Sequence, residues 1–390
     1  MKKIIFLFIS ILTLANVLNA KTIVPGANRT DQYLSLIKGK RVGLVINQTS
    51  TIGNTHLLDT LISLGINVQV VFAPEHGFRG TADAGEHINN GVDVNTNTPI
   101  VSLYGDNKKP KKEQLKNIDI ILFDIQDVGV RFYTYISTLQ YVMEACAESN
   151  KKLIVLDRPN PNGHYIDGPV LDTQYRTFVG MQPIPVVYGM TMGEYAKMLN
   201  GEHWLSNNLS CNLSVITCLN YDHTSFYTLP IKPSPNLPNM EAIYLYPSLC
   251  FFEGTDKVSL GRGTALPFQV YGSNDFPSTL SYSFQPKSMD GAKNPPLMDK
   301  QCFGYNLSTI TLDSLRKQKF SLRYLLNAYQ LTKNKNTFFN SFFTKLAGNQ
   351  TLASQIQKGM SESDIRTSWK PKLSKFKVIR KKYLLYKDFE

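Results

Sequence analysis

The sequence predicts an α/β protein: a doubly wound, mostly parallel sheet of Rossmann-like topology, followed by a smaller C-terminal α/β domain. Three observations predict it. Through the first two-thirds of the chain, short β-branched apolar runs alternate with segments of helical spacing. The runs are apolar at almost every position, as strands covered on both faces are. Polar residues then gather where each run ends, which is the edge at which open parallel sheets bind ligands.

Residues 41–47 read as the first strand, and 55–64 as a helix closed by Gly65. Residues 68–73 form the second strand. Residues 100–104 and 118–124 form two more, separated by a short charged helix at 111–116. The stretch 132–150 carries Ile136, Leu139, Val142 and Met143 at helical spacing, and 153–157 is the fifth strand. The pattern then loosens. Residues 157–185 are rich in Pro, Gly and Asn and read as an ordered loop over the sheet edge. Residues 191–200 look helical and 213–218 strand-like, whereas 230–247 and 264–296 are turn-rich. Helices near 321–332 and 364–369 belong to the C-terminal domain. The organisation expected is a signal peptide at 1–20, a Rossmann-like catalytic domain at 21–265 and the smaller domain at 266–390.

With 390 residues and 42% hydrophobic content, the chain holds enough apolar side chains for two domains. Met1-Lys2-Lys3 and the apolar stretch 4–18 have the form of a basic n-region and an h-region, with Ala20 as the small residue at a cleavage point. The run is short for a membrane anchor. No cysteine near Ala20 offers a site for lipid, and no later segment is apolar enough to span a membrane. A periplasmic or secreted protein is therefore expected. The five cysteines show no metal-ligand spacing, and their odd number leaves at least one unpaired. Cys211 and Cys218 either bridge or remain thiols. The net charge of +12 is concentrated at the end of the chain, where nine Lys/Arg stand against two acids from Arg366 to Glu390. That reads as a solvated face, or as attraction to an anionic wall or membrane surface. It lacks the basic–aromatic interleaving of a nucleic-acid binder, so no nucleic-acid partner is expected.

The chemistry-bearing residues sit at the five strand ends: Asn47; Glu75 and His76; Tyr104; Asp124, Gln126 and Asp127; Asp157, Arg158 and Asn160. Glu75 lies in Pro74-Glu75-His76-Gly77-Phe78-Arg79-Gly80, among apolar neighbours that favour a raised pKa and hence a general acid. A structural carboxylate paired with Arg79 or Arg131 is the alternative. Glu86 is a second carboxylate in a glycine-flanked loop. Asp124 and Asp127 are spaced to bracket a hydroxyl, bind a metal or hold Arg131. Arg131 follows Gly129 and suits a bidentate grip on an anion, with Tyr133 and Tyr135 as a stacking face. His76 fits acid–base, ligand-binding or structural use. There is no Gly-x-Gly-x-x-Gly, P-loop or Gly-x-Ser-x-Gly motif, which disfavours nucleotide binding and an α/β-hydrolase.

Several ordered motifs carry a further signal. Besides the Glu75 motif they are Ser102-Leu103-Tyr104-Gly105, Phe123-Asp124-Ile125-Gln126-Asp127-Val128-Gly129, Arg131-Phe132-Tyr133-Thr134-Tyr135 and Leu156-Asp157-Arg158-Pro159-Asn160-Pro161. Pro233-Ser234-Pro235-Asn236-Leu237-Pro238, Phe252-Glu253-Gly254-Thr255, Gly261-Arg262-Gly263-Thr264 and residues 380–386 complete the set. With these motifs the chain resembles the NamZ-type exo-β-N-acetylmuramidases, glycoside hydrolase family 171, long described as a domain of unknown function. The resemblance covers most of the mature chain. It implies an active-site cleft between two domains and release of N-acetylmuramic acid from non-reducing ends of peptidoglycan fragments, without metal or nucleotide. It implies Glu75 as the catalytic residue and, with Asn236 and Arg262, extends the candidate substrate-binding set. Asn47-Gln48-Thr49 departs from the family pattern, so only Asn47 carries over there.

Glycosidases work through a carboxylic acid and an oxocarbenium-like transition state, usually with a second carboxylate. Here that partner is Asp124, Asp127 or Glu86, or the substrate's own acetamido group. The lactyl carboxylate of muramic acid gives Arg79, Arg131, Arg158 or Arg262 a purpose. Two other readings stand beside this one. The first is a non-catalytic cell-wall sugar-binding protein, and the second a metal-dependent hydrolase built on Glu75, His76, Asp124 and Asp127.

Overall fold

The computed structural model describes residues 21–74, 78 and 90–390. The expected signal peptide (1–20), Glu75, His76, Arg79 and Glu86 lie outside the described residues.

Seven strands form the main sheet: β1 (Arg41–Ile46), β2 (Asn67–Ala73), β3 (Gly91–Val92), β4 (Pro99–Ser102), β5 (Ile120–Asp124), β6 (Lys152–Leu156) and β7 (Asn212–Ile216). Their order is β3-β4-β2-β1-β5-β6-β7. Every pairing is parallel except the β3–β4 edge. The chain winds outward from β1 in one direction through β2 and β4, and in the other through β5, β6 and β7. This is the doubly wound arrangement expected, with its switch point between β1 and β5.

The period-two alternation of each strand sends its side chains to opposite faces. Val42, Leu44, Ile46, Val71, Leu122 and Ile154 build one core, closed by Leu57, Leu58 and Leu61 of helix α1 (Leu57–Ser63). Val45, Phe72, Ile121, Phe123, Leu153 and Val155 face the other way, onto α2 (Tyr135–Glu148) and α3 (Met192–Gly201). That second core runs without interruption into the C-terminal part of the chain.

The C-terminal part opens with α4 (Met240–Leu249) and a 3-10 turn at Cys250–Gly254. A three-stranded antiparallel sheet follows, from β8 (Val270–Ser273), β9 (Tyr282–Phe284) and β10 (Cys302–Asn306), in the order β8-β10-β9. Five helices complete it: α5 (Leu312–Gln318), α6 (Arg323–Leu331), α7 (Ser341–Ala347), α8 (Thr351–Gln357) and α9 (Glu362–Lys381). Helix α9 runs well past the expected 364–369. Ser361 caps it by accepting from the Asp364 amide, and Pro371 lies within it on an exposed position. Beyond α9 the chain folds back onto the main sheet. The buried Arg380 forks onto Asp388 at 2.8 Å and donates to the Gly189 carbonyl, while the Tyr386 hydroxyl donates to Asp157 at 2.6 Å. All five cysteines are buried thiols, Cys211 and Cys218 included. Among the described residues no helix is long and apolar enough to cross a membrane.

Candidate active site

The carboxyl ends of β1, β5 and β6 carry a buried polar network. Asp124 accepts the fork of Arg158, from Nε at 2.5 Å and Nη2 at 2.8 Å, with both side chains sealed from solvent. Burial works against the Arg158 charge, yet the Asp124 carboxylate outweighs it and holds the guanidinium's pKa above its ordinary value. Asn47 accepts from the Thr49 amide and hydroxyl and donates to the Tyr135 hydroxyl at 3.0 Å. The Gln126 amide donates to the Thr49 hydroxyl, and its side chain bridges the carbonyls of Asp127 and Pro159. Asp157 accepts from the backbone amides of Arg158 and Gly193 and from the hydroxyls of Thr191 and Tyr386. The switch-point crevice is thus filled by the protein's own hydrogen bonds.

Asp127 is buried in the same layer. Its Oδ2 accepts from the Gly129 amide and the Tyr188 hydroxyl, whereas its Oδ1 meets no donor. Burial pushes its pKa up to about 6, against the pull of those bonds. Gly129 has φ +75°, and a Cβ there would meet the Asn160 amide at 2.1 Å, so only glycine fits the turn. Asn160 in turn donates to the Met190 carbonyl and accepts from Asn162. Arg131 is fully buried and donates to the carbonyls of Pro169, Ile184 and Leu346 at 2.6–2.8 Å. Burial with no carboxylate partner drives its pKa down to about 9. It staples the strand-end loops to the C-terminal part.

Above this layer, between the sheet edge and the C-terminal part, lies a cavity of about 340 Å³. Tyr104 after β4 and Phe132, Tyr133 and Tyr135 after β5 form its floor. Ser234, Asn236, Tyr246, Phe268 and Phe342 form the opposite wall. The Tyr133 hydroxyl donates to the Pro233 carbonyl at 2.8 Å, which fixes the loop that carries Ser234 and Asn236. Burial pushes Tyr133 and Tyr246 well above the ordinary phenol pKa, so both remain neutral. Among the described residues, the charged ones that line the cavity are Lys108, Arg262 and Glu253. Arg262 donates to Glu253 Oε1 from Nε at 3.0 Å and from Nη2 at 2.5 Å, and rests 5.1 Å over the Phe268 ring. Burial works against the Arg262 charge, but Glu253 more than offsets it.

Of the residues expected at the site, Tyr104, Tyr133, Asn236 and Arg262 line this cavity. Asn47, Asp124, Gln126, Asp127, Arg131, Asp157, Arg158 and Asn160 lie in the buried layer instead, engaged as described. Two charged cavity residues, Glu253 and Lys108, were outside the sequence-derived set. Glu253 stood within a motif, but no strand precedes it, so the strand-end rule passed over it. Among the described residues no group of three or more His, Cys, Asp or Glu side chains is arranged to hold a metal ion.

The fold and the cavity define an α/β protein whose cleft separates a Rossmann-like sheet from a C-terminal part, and the comparisons place it among the glycosidases. Two family models match in succession: the N-terminal domain of exo-beta-N-acetylmuramidase NamZ at residues 42–241, and its C-terminal domain at 244–386. The chain belongs to the NamZ family. It is 36% identical to the peptidoglycan beta-N-acetylmuramidase NamZ of Bacillus subtilis, over 99% of this chain and all of that one. Two crystal structures of DUF1343 family proteins from Bacteroides fragilis superpose on it with TM-scores of 0.88 and 0.80, at 48% and 29% identity. Each covers 94% of this chain and 99% of its own.

Proposed function

We propose that the chain is an exo-acting β-N-acetylmuramidase that takes the non-reducing terminal N-acetylmuramic acid of a peptidoglycan fragment into the 340 Å³ cavity. The observation that carries this reading is the charge of the cavity. Among its described lining residues two cations, Lys108 and Arg262, face one carboxylate, Glu253. An aromatic-walled lining in which cations outnumber carboxylates among the described residues suits a sugar that bears one carboxylate and apolar C–H faces. Neither bond to Glu253 uses Arg262 Nη1, so that edge is available for the lactyl group. Membership of the NamZ family supports the same substrate.

Glu75, in the motif that follows β2, acts as the acid that protonates the leaving oxygen. Asp124 and Asp127 are engaged in the buried layer, so the second role falls to Glu86 or to the substrate's 2-acetamido oxygen, which would attack the anomeric carbon as the bond to the leaving oxygen breaks. The basic n-region and apolar h-region at 1–20 support export and work on cell-wall material outside the cytoplasm.

The test is turnover of a chromogenic β-N-acetylmuramide beside the matching β-N-acetylglucosaminide, with and without chelator. Release from the muramide alone, unaffected by chelator and abolished in Glu75→Gln with the melting temperature kept, is the expected result. Tight binding without turnover by the wild type would instead identify a sugar-binding protein, and loss of activity with chelator a metal-dependent hydrolase.

A further inference from the structure

A second cavity, of about 480 Å³, adjoins the first and is built from the same two loops together with the segment Met289–Ala292. Asn236 lines both, and Arg262 in the first is followed directly by Gly263 and Thr264 in the second. Asn236 and the Arg262–Thr264 segment therefore form the boundary that the two cavities share.

The dividing wall is held in place. The buried Asn236 amide donates to the Gly291 carbonyl at 2.7 Å. Gly291 has φ +82°, and a Cβ there would meet Pro235 at 2.7 Å, so glycine is required where the two loops touch. The lining differs in character from that of the first cavity. Its apolar surface comes from Pro235, Pro238, Ala265, Pro267 and Ala292, which present C–H groups with little conformational freedom to lose. Its charges balance: among the described lining residues one cation, Lys232, faces one carboxylate, Asp290. A neutral, hydroxyl-rich ligand with apolar faces fits such a lining, whereas the first cavity, whose described lining has one more cation than carboxylate, fits an anion.

The geometry points to the second cavity as the subsite for the leaving-group sugar, the neutral N-acetylglucosamine unit that stays on the reducing side of the cleaved bond. This inference rests on the muramidase reading of the first cavity. It divides recognition in two: the first cavity selects the carboxylate-bearing sugar to be released, and the second binds what remains.

The experiment compares two substrates in the full-length protein. One is the disaccharide N-acetylmuramyl-β-1,4-N-acetylglucosamine, and the other is the methyl β-glycoside of N-acetylmuramic acid, which has nothing to place beyond the bond. Ala265→Trp puts an indole into the second cavity from an exposed position. The expected result is a drop of tenfold or more in the ratio of kcat/KM for the disaccharide to that for the methyl glycoside. Weakened inhibition by free N-acetylglucosamine is expected alongside it. Met289→Trp, on the exposed rim, gives a second route to the same ratio should the first variant fold poorly. An unchanged ratio in the folded variants overturns the assignment. So does a change confined to substrates whose lactyl group carries a peptide, which would put the peptide in this cavity. A wild type that cleaves neither muramide refutes the muramidase reading itself, and this inference with it.

Discussion

Arg262 is held by a single oxygen of Glu253: its Nε and Nη2 both donate to Oε1, at 3.0 and 2.5 Å. The carboxylate fixes the plane of the guanidinium while Phe268 supports its face. An arginine oriented in advance loses less side-chain entropy when an anion arrives.

The first prediction concerns that pair. Arg262→Met removes the anion's partner and leaves Glu253 facing it. Inhibition by free N-acetylmuramic acid should weaken by about ten- to a hundredfold, the scale of one charge-assisted contact of about 1.5–3 kcal/mol. Inhibition by N-acetylglucosamine should change much less. Arg262→Lys should recover only part of the loss, since a lysine restores charge without the fork. Equal weakening for both sugars would argue against a carboxylate contact.

Arg131 gives the opposite expectation. Its guanidinium satisfies three backbone carbonyls from separate segments and is fully buried. Arg131→Lys leaves carbonyls unpaired and should cost about 2–4 kcal/mol of stability in denaturant unfolding. KM measured well below the melting temperature should stay near wild type. A raised KM at unchanged stability would return Arg131 to the substrate site.

The buried pair Asp124–Arg158 should respond asymmetrically. Arg158→Met alone strands a buried carboxylate and should cost about 3–5 kcal/mol. Asp124→Leu combined with Arg158→Met should recover a large part of that, because two apolar groups need no desolvated partner. Additive losses in the double variant would contradict the pairing.

Asp127 carries a pH signature. Its pKa is pushed up to about 6 in the folded protein, against about 3.9 for an unfolded aspartate. The folded state therefore holds this proton more tightly. The stabilisation it gives is complete below about pH 4 and is lost as pH rises through 6. Asp127→Asn should remove this contribution, so that the difference in melting temperature between variant and wild type shifts in the variant's favour from pH 4.5 to 7.5. A difference that is flat across this range would show that Asp127 titrates normally.

The winding of the sheet was legible because a parallel strand covered on both faces must be apolar throughout, and Val42–Ile46, Val70–Ala73, Ile120–Phe123 and Leu153–Leu156 all are. The three-stranded antiparallel sheet was not. Its strands are three to five residues long, and Gly272 and Gly304 interrupt any alternation. Strand-end logic picked out Tyr104 and Tyr133, which line the cavity. The same logic gathered Asp124, Asp157 and Arg158, whose polarity serves the strand ends themselves: buried carboxylates there cap loops and pair with one another's neighbours. Sequence position alone does not separate a polar group that holds a loop from one that faces a ligand. The distinction is made by the loop above, through contacts such as Tyr133 to Pro233 that span a hundred residues.

The tail beyond α9 bears on how the protein is made. Tyr386 supplies a donor to Asp157, and the Leu385 amide one to Glu194, both buried in the first-built half of the chain. Until Leu385 and Tyr386 are in place, those two carboxylates lack donors that the finished fold gives them, and burying them in that condition is costly. Truncation before Leu385 should therefore leave Asp157 and Glu194 short of donors in the part of the chain made first.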